Sequence, residues 1–304
     1  MSDAAISSAA FAGRPFLAGR KSAGWMFVSP AVSIMLLVGV FPFIWSLVVS
    51  LKNITGSNRA GEWVWFANYA KLFEDTRVWA AFGRTVLIMA VALPLELVLG
   101  LMLALHFQVD RPFKRLFVAL LVLPAVISPM VAGSMWRLMF DHKFGPINQM
   151  IAWVTGQPTV LLWVVKPHLA FWAIMITEVW QWTPFMFVIL LAALANVDRE
   201  QMEAAAIDGA GKIRVFLHVV LPAIAPVLAI AMLIRGLDLF RIFDAVWQLT
   251  RGGPGNKTET VSVFMYIRGF QNFDTSYTAA MVVVLLILLS VVVVSLLKRM
   301  KIAR

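Results

Sequence analysis

Cysteine is absent from the 304 residues, histidine occurs four times, and only 14% of the side chains carry a charge. Without thiols the chain has no disulfide, no thiolate nucleophile and no iron–sulfur ligation. His106, His142, His168 and His218 are too far apart in sequence for local metal-ligand spacing, so no metal site is expected. The scarcity of charge is matched by an apolar excess, 61% against roughly 45–50% in an ordinary soluble domain. That composition points to the lipid bilayer as solvent. The 26 Lys and Arg exceed the 16 Asp and Glu and give a formal charge of +10. They lie between hydrophobic stretches and build no basic face, which argues against nucleic acid as a partner.

Residues 1–23 read as an Ala/Ser-rich tail with Arg14, Arg20 and Lys21. A cleaved leader has a short apolar core of about 7–15 residues, whereas the stretch 24–51 is long enough to cross a bilayer and reads as an anchor. Five more stretches follow at 79–107, 113–140, 168–196, 220–239 and 278–297, each near or above the roughly 20 residues that span a hydrocarbon core. The expected fold class is all-α, a polytopic membrane protein with six transmembrane helices over 24–304. Prolines within these stretches, among them Pro30, Pro94, Pro124, Pro184 and Pro226, predict kinked and closely packed helices. The tail, the 2–3 turn, the 4–5 loop and the C-terminus are denser in Lys and Arg than the opposite loops, so both termini and the 4–5 loop are expected in the cytoplasm. Trp63, Trp65, Trp153 and Trp163 in the opposite loops suggest short interfacial helices.

The 4–5 loop, 197–219, is the one polar, helix-forming insert of the chain. From Arg199 to Ala206 the residues are strong helix formers. Asp208-Gly209 interrupts them, because glycine permits a sharp turn and close backbone approach. A second short helix from Lys212 to Val219 is expected before Leu221-Pro222, where proline suits the first turn of the next span. The result is either a docking element or an ordinary loop held by its own packing. Gly209-Ala210-Gly211-Lys212 resembles the end of a phosphate-binding loop, but Ala206 and Ile213 stand where that motif needs glycine and Ser or Thr. Nucleotide is therefore not bound here by that mechanism.

Glu203-Ala204-Ala205, Gly209 and Leu221-Pro222 resemble the cytoplasmic signature loop of the membrane permease subunits of bacterial ABC importers. The longer form, with Asp208-Gly209-Ala210 and Phe216, is similar to the carbohydrate branch, the maltose-type and glycerol-phosphate-type permeases; Val219 departs conservatively from the usual Ile. Trp180-x-x-x-Pro184-Phe185, Phe243-Asp244 and Leu249-Thr250-x-Gly252-Gly253-Pro254 with Thr258-x-Thr260 extend the resemblance over most of the chain. It implies that Glu203, Ala204, Ala205, Asp208, Gly209, Leu221 and Pro222 dock a coupling helix onto an ATP-hydrolysing subunit. The implied partners are a second homologous permease, an ATP-binding subunit dimer that carries ATP and Mg, an extracytoplasmic or periplasmic solute-binding protein and a sugar substrate. No cofactor is expected on this chain and no catalytic residue.

Ionisable groups inside spans cost about 2.5–3.5 kcal/mol each on insertion scales, so each needs a reason. At about 1.5 Å per residue, Glu178 lies about 15 Å into span four from its outer end, and Arg235 and Asp238 lie about 20 and 24 Å up span five, so the three share a depth. They form either a structural ion pair or a polar wall of a solute path. In the permeases this chain resembles, the spans flanking the signature loop contact the solute, and the resemblance thereby implies that Glu178, Gln181, Trp182, Arg235, Asp238 and Arg241 lie near the path; Arg235 or Arg241 hints at an anionic sugar. Glu96, beside Pro94, is expected deeper and in helix packing. The competing readings are an ion-coupled secondary transporter, a permease for a non-sugar solute and a membrane scaffold; the absence of an internal repeat speaks against the first.

Overall fold

The computed structural model describes residues 18–109, 112–158 and 160–302. Helix α1 (Ala18–Met35) begins before Gly24, and a π-turn over Leu36–Val40 joins it to α2 (Phe41–Ser50). Residues 1–17, most of the expected tail, lie outside the described residues, as does Arg111 of the 2–3 turn. After α2 the chain forms a hairpin of β1 (Lys52–Asn53) and β2 (Glu62–Trp63), antiparallel with Lys52 opposite Trp63, and then α3 (Ala67–Glu74). Helices α4 (Thr76–Phe107), α5 (Lys114–Val126), α6 (Pro129–Met139), α7 (Pro146–Thr155) and α8 (Pro167–Ala195) follow. Beyond them come α9 (Arg199–Ile207), α10 (Lys212–Val215), a π-turn over Phe216–Val220 and α11 (Leu221–Phe240). The last elements are α12 (Asp244–Leu249), α13 (Val261–Tyr266), a π-turn over Ile267–Gln271 and α14 (Thr275–Ile302).

The fold is all-α in architecture. Five helical stretches among the described residues are long and apolar enough to cross a membrane, and a sixth is so if α5 and α6 count as one. Those two correct the expectation of a straight third span over 113–140: they meet at 97°. Ile127 and Ser128 are extended, with ψ of 135° and 134°, because the ring of Pro129 disfavours helical geometry in the residue before it. The interfacial tryptophans divide. Trp153 sits on α7, whereas Trp63 lies in the hairpin, Trp65 in a turn with φ +52° and Trp163 in a buried turn.

A second correction concerns the entry to span five. Lys212 to Phe240 is continuous, and Pro222 starts no new helix. Proline cannot donate to the carbonyl four residues back, so the ladder slips by one residue before it. Leu221 N–H bonds to Phe216 O, and Phe41 N–H ahead of Pro42 bonds in the same way to Leu36 O.

The centre of the bundle is the long contact of α4 with α8, which α5, α6, α11 and α12 flank. Helix α14 packs on α2 and α3. Two apolar clusters sit at the two ends of the α4–α8 seam: Ile88, Ala92, Ile174, Met175 and Leu239 at one, Ala104, Phe187, Leu190, Leu194 and Ile224 at the other. Large apolar side chains elsewhere, such as Phe27, Leu37 and Met102, point outward, as expected where lipid replaces water. The seam is close because Gly100 has no side chain: a Cβ there would stand 2.6 Å from Met186 Cβ and 3.0 Å from Phe187 N. Gly83, on the same helix, has nothing within 4 Å of that position. Gly100→Val is therefore expected to destabilise the protein by about 1–3 kcal/mol or more through overpacking, with Gly83→Ala near neutral, as read from thermal unfolding of detergent-solubilised protein. Equal midpoints for the two variants would show that the seam is not tight.

Candidate functional site

Between the two apolar clusters, the α4–α8–α11 contact holds a guanidinium. Arg235 on α11 is 1% exposed. Its Nε donates to Glu96 Oε2 at 2.7 Å and its Nη2 to Glu96 Oε1 at 2.9 Å, a two-pronged pair with α4. The same Nη2 donates to Glu178 Oε1 on α8 at 2.5 Å, and Nη1 donates to Asp238 Oδ2, one turn further along α11, at 2.5 Å. Four of the five guanidinium N–H groups are thus engaged. The Trp182 ring covers its face, 4.6 Å from the guanidinium carbon. Asp238 also accepts from exposed Arg241 at 3.3 Å.

Glu178, Trp182, Arg235, Asp238 and Arg241 therefore come together. Glu96, expected deeper and in helix packing, belongs to the same cluster, which corrects its depth, while its pair with Arg235 is a packing contact between α4 and α11. The depth count missed it because a carboxylate from α4 reaches along the seam to Arg235. Gln181 stands apart from the guanidinium. Buried on α8, it donates from Nε2 to Ile127 O at 2.9 Å, at the extended break between α5 and α6, and its Oε1 has no partner among the described residues. Arg235 is consumed by carboxylates, which removes the reason for reading it as a group for an anionic solute.

Beside the cluster opens a pocket of about 320 Å³ lined by Pro129, Glu178, Trp182, Asp238, Arg241 and residues 242–245. Asp244, a lining group that the sequence reading gave no role, forms no hydrogen bond or ion pair among the described residues. A separate ion pair braces the loop after α12. Glu259, fully buried, accepts from Arg77 Nε and Nη2 at 2.8 and 2.7 Å, and its backbone O accepts from Arg84 Nε at 2.8 Å. Within that loop the Thr250 and Thr258 hydroxyls pair at 2.7 Å, Thr258 donates to Gly253 O and Thr260 to Ile242 O. The threonines and glycines of this stretch thus satisfy one another.

The polar loop is built from the residues upward as follows. Asp198 caps α9, its Oδ1 accepting from Glu200 N–H at 2.9 Å. The helix closes when Gly209 takes φ +77°, Gly209 N–H bonding to Ala206 O and Ala210 N–H to Ala205 O, the paired bonds of a glycine-terminated helix end. Glu203, Ala204, Asp208 and Gly209 are exposed, Ala205 is half-buried, and Met202, Val215 and Phe216 seat the loop on the apolar end of the α4–α8 seam. Leu221 is half-buried and Pro222 exposed.

Helices long and apolar enough to cross a membrane, packed around a buried charge cluster with a pocket beside it, define a membrane-embedded helical protein. The chain belongs to the family of binding-protein-dependent transport system inner membrane components, whose model matches residues 96–301. It is 34% identical to a probable ABC transporter permease protein of Sinorhizobium fredii, over 84% of this chain and 82% of that one. It is 30% identical to the trehalose/maltose transport system permease protein of Thermococcus litoralis, over 80% and 82%. A bacterial ABC transporter involved in the import of the acidic polysaccharide alginate shares the fold, with a TM-score of 0.77 over 93% of this chain and 96% of that chain at 17% identity.

Removing Arg235 leaves buried carboxylates without their counter-charge, which costs about 3–5 kcal/mol, whereas neutralising one of the three carboxylates weakens its charge-assisted hydrogen bonds to the guanidinium. Arg235→Met, which strands three carboxylates, is expected to abolish the cooperative thermal transition of the solubilised protein or lower it most. Glu96→Gln should rank next, and Asp238→Asn, at the exposed edge of the cluster, should shift it least. The reverse ranking would show that the cluster does not hold the bundle.

Proposed function

We propose that the chain is one of two permease subunits of an ATP-driven importer for a sugar or sugar derivative in a bacterial inner membrane. It lines the translocation path with a homologous permease, receives solute from an extracytoplasmic binding protein, and is driven by an ATPase dimer that holds ATP and Mg. The family supports the importer class, and likeness to the trehalose/maltose permease supports a sugar as solute. A binding-protein-dependent family also disfavours an ion-coupled carrier.

The observation that carries the coupling step is the surface of α9 and α10. Ile207 and Ile213 are 86% and 77% exposed, next to Glu203 and to the small side chains Ala204 and Ala206. Exposed apolar groups beside small residues and one charge suit close docking of a soluble partner. In this reading Glu203 sets register against basic or polar groups of the ATPase. Gly209 ends the docking helix, Ala205 and Asp208 shape its last turn, and Leu221-Pro222 passes the movement into α11. Counting α5–α6 as one crossing, six crossings would put both termini and α9 on the same side, and the distribution of Lys and Arg supports the cytoplasm as that side.

Solute-stimulated ATP hydrolysis by the reconstituted importer tests this. Glu203→Lys is expected to lower it by about tenfold or more through like-charge contact, with the melting temperature of the permease unchanged. Gly209→Pro, incompatible with φ +77° and lacking the N–H that bonds to Ala206 O, should uncouple the complex as well. Wild-type stimulation in both variants would remove the coupling role from this loop.

A further inference from the structure

The pocket beside Arg235 is acidic in a chain that is basic overall. Glu178, Asp238 and Asp244 line it against one cation in the lining, Arg241, and Arg241 is already held by Asp238 at 3.3 Å. Behind this wall Arg235 is shared among Glu96, Glu178 and Asp238 and covered by Trp182, so the two arginines face four carboxylates. The groups left for a visitor are mostly acceptors, chief among them the unpaired carboxylate of Asp244. Trp182 adds an aromatic surface and an indole N–H with no protein acceptor among the described residues. A volume of about 320 Å³ lies at the small end of the range for small-molecule sites, and acceptors beside an aromatic ring suit a solute rich in O–H or N–H donors.

We infer that this pocket is a solute subsite that selects against negative charge: it takes hydroxyl-rich solutes, favours those bearing an ammonium group and rejects uronates, phosphates and sulfonates. The inference rests on the permease reading, and it names the charge class that this chain passes. A carboxylate or phosphate brought beside Glu178, Asp238 and Asp244 meets like charge, whereas an ammonium supplies the counter-charge that Asp244 lacks. Arg241 is the lining cation an anion would meet, but with its side chain 78% exposed its attraction is screened by solvent and set against three carboxylates.

The test uses the full chain in lipid nanodiscs with glucosamine, glucose and glucuronate as probes, their affinities read by saturation-transfer NMR. Glucosamine is expected to bind about tenfold or more tightly than glucuronate, with glucose between them. Asp244→Asn, which removes no hydrogen bond or ion pair of the buried cluster, should cut this ratio to within about threefold at a melting temperature that does not fall. Arg241→Gln, which removes the lining cation, should widen it. Glucuronate binding as well as glucosamine, no binding of any probe, or a ratio unmoved by both substitutions would overturn the inference. The order of affinities is read on this chain alone. Loss of coupling to ATP hydrolysis would therefore sink the importer reading and leave the order intact, and a reversed order would remove the subsite with coupling preserved.

Discussion

A guanidinium in the apolar interior of a membrane protein has no water to fall back on, so its partners must come from the protein. Arg235 draws them from three helices, Glu96 on α4, Glu178 on α8 and Asp238 on its own α11. Apolar helix faces in lipid discriminate weakly between registers, since a side chain gains little by exchanging lipid for another side chain. A charge cluster discriminates strongly, because a shift of one helical turn would strand a carboxylate. Buried ion pairs are weak evidence for net stability; their better-attested use is to specify one arrangement over others. Here that arrangement is the mutual depth and rotation of α4, α8 and α11, with apolar packing filling in above and below.

Two functional features inherit that geometry. Asp238 lies one turn beyond Arg235, so the rotation that buries Arg235 also turns Asp238 toward the pocket. In the other direction, helix runs from Arg235 back to Lys212 without a break, about 35 Å at 1.5 Å per residue, the slip ahead of Pro222 being absorbed as a π-turn. The second helix of the polar loop and the charge cluster therefore lie on one continuous element. Through the cluster that element is joined to α4 and α8 as well.

Much of the fold was legible in the residues. Apolar runs marked the long helices because length and hydropathy alone decide them, and the helix, glycine turn and helix of 199–215 followed from propensity and from the left-handed geometry that Gly209 adopts. The break at Ile127-Ser128 was less visible, since Pro124 and Pro129 both lie in an apolar run and only one of them ends a helix. Pro124 sits inside α5, whereas Pro129 starts α6, and tertiary packing of α6 on α12 favours the second. In the site, a lone arginine among three intramembrane carboxylates signalled a cluster, but its membership depended on which helices touch. Sequence distance from Arg235 hid Glu96, and Asp244 was hidden by lying after the span, where a carboxylate ordinarily meets water.

The break in the third span explains why there is a pocket at all. A straight helix through 113–140 would run past the cluster as another apolar wall, and the acidic groups would then need burial or removal. Bent by 97°, the chain turns onto α12 while Trp136 of α6 keeps contact with Trp180 of α8, and Pro129 at the start of α6 becomes part of the pocket lining. Gln181, one turn from Glu178 along α8, ties itself to the extended carbonyl of Ile127 and satisfies a backbone group that the bend had freed. Helix α8 thus presents Glu178 and Trp182 to the pocket, Glu178 and Trp182 to Arg235, and Gln181 to the bend. The polar residues of this one helix both create the opening beside the charge cluster and supply its chemistry, so the bend and the cluster belong to the same structural solution.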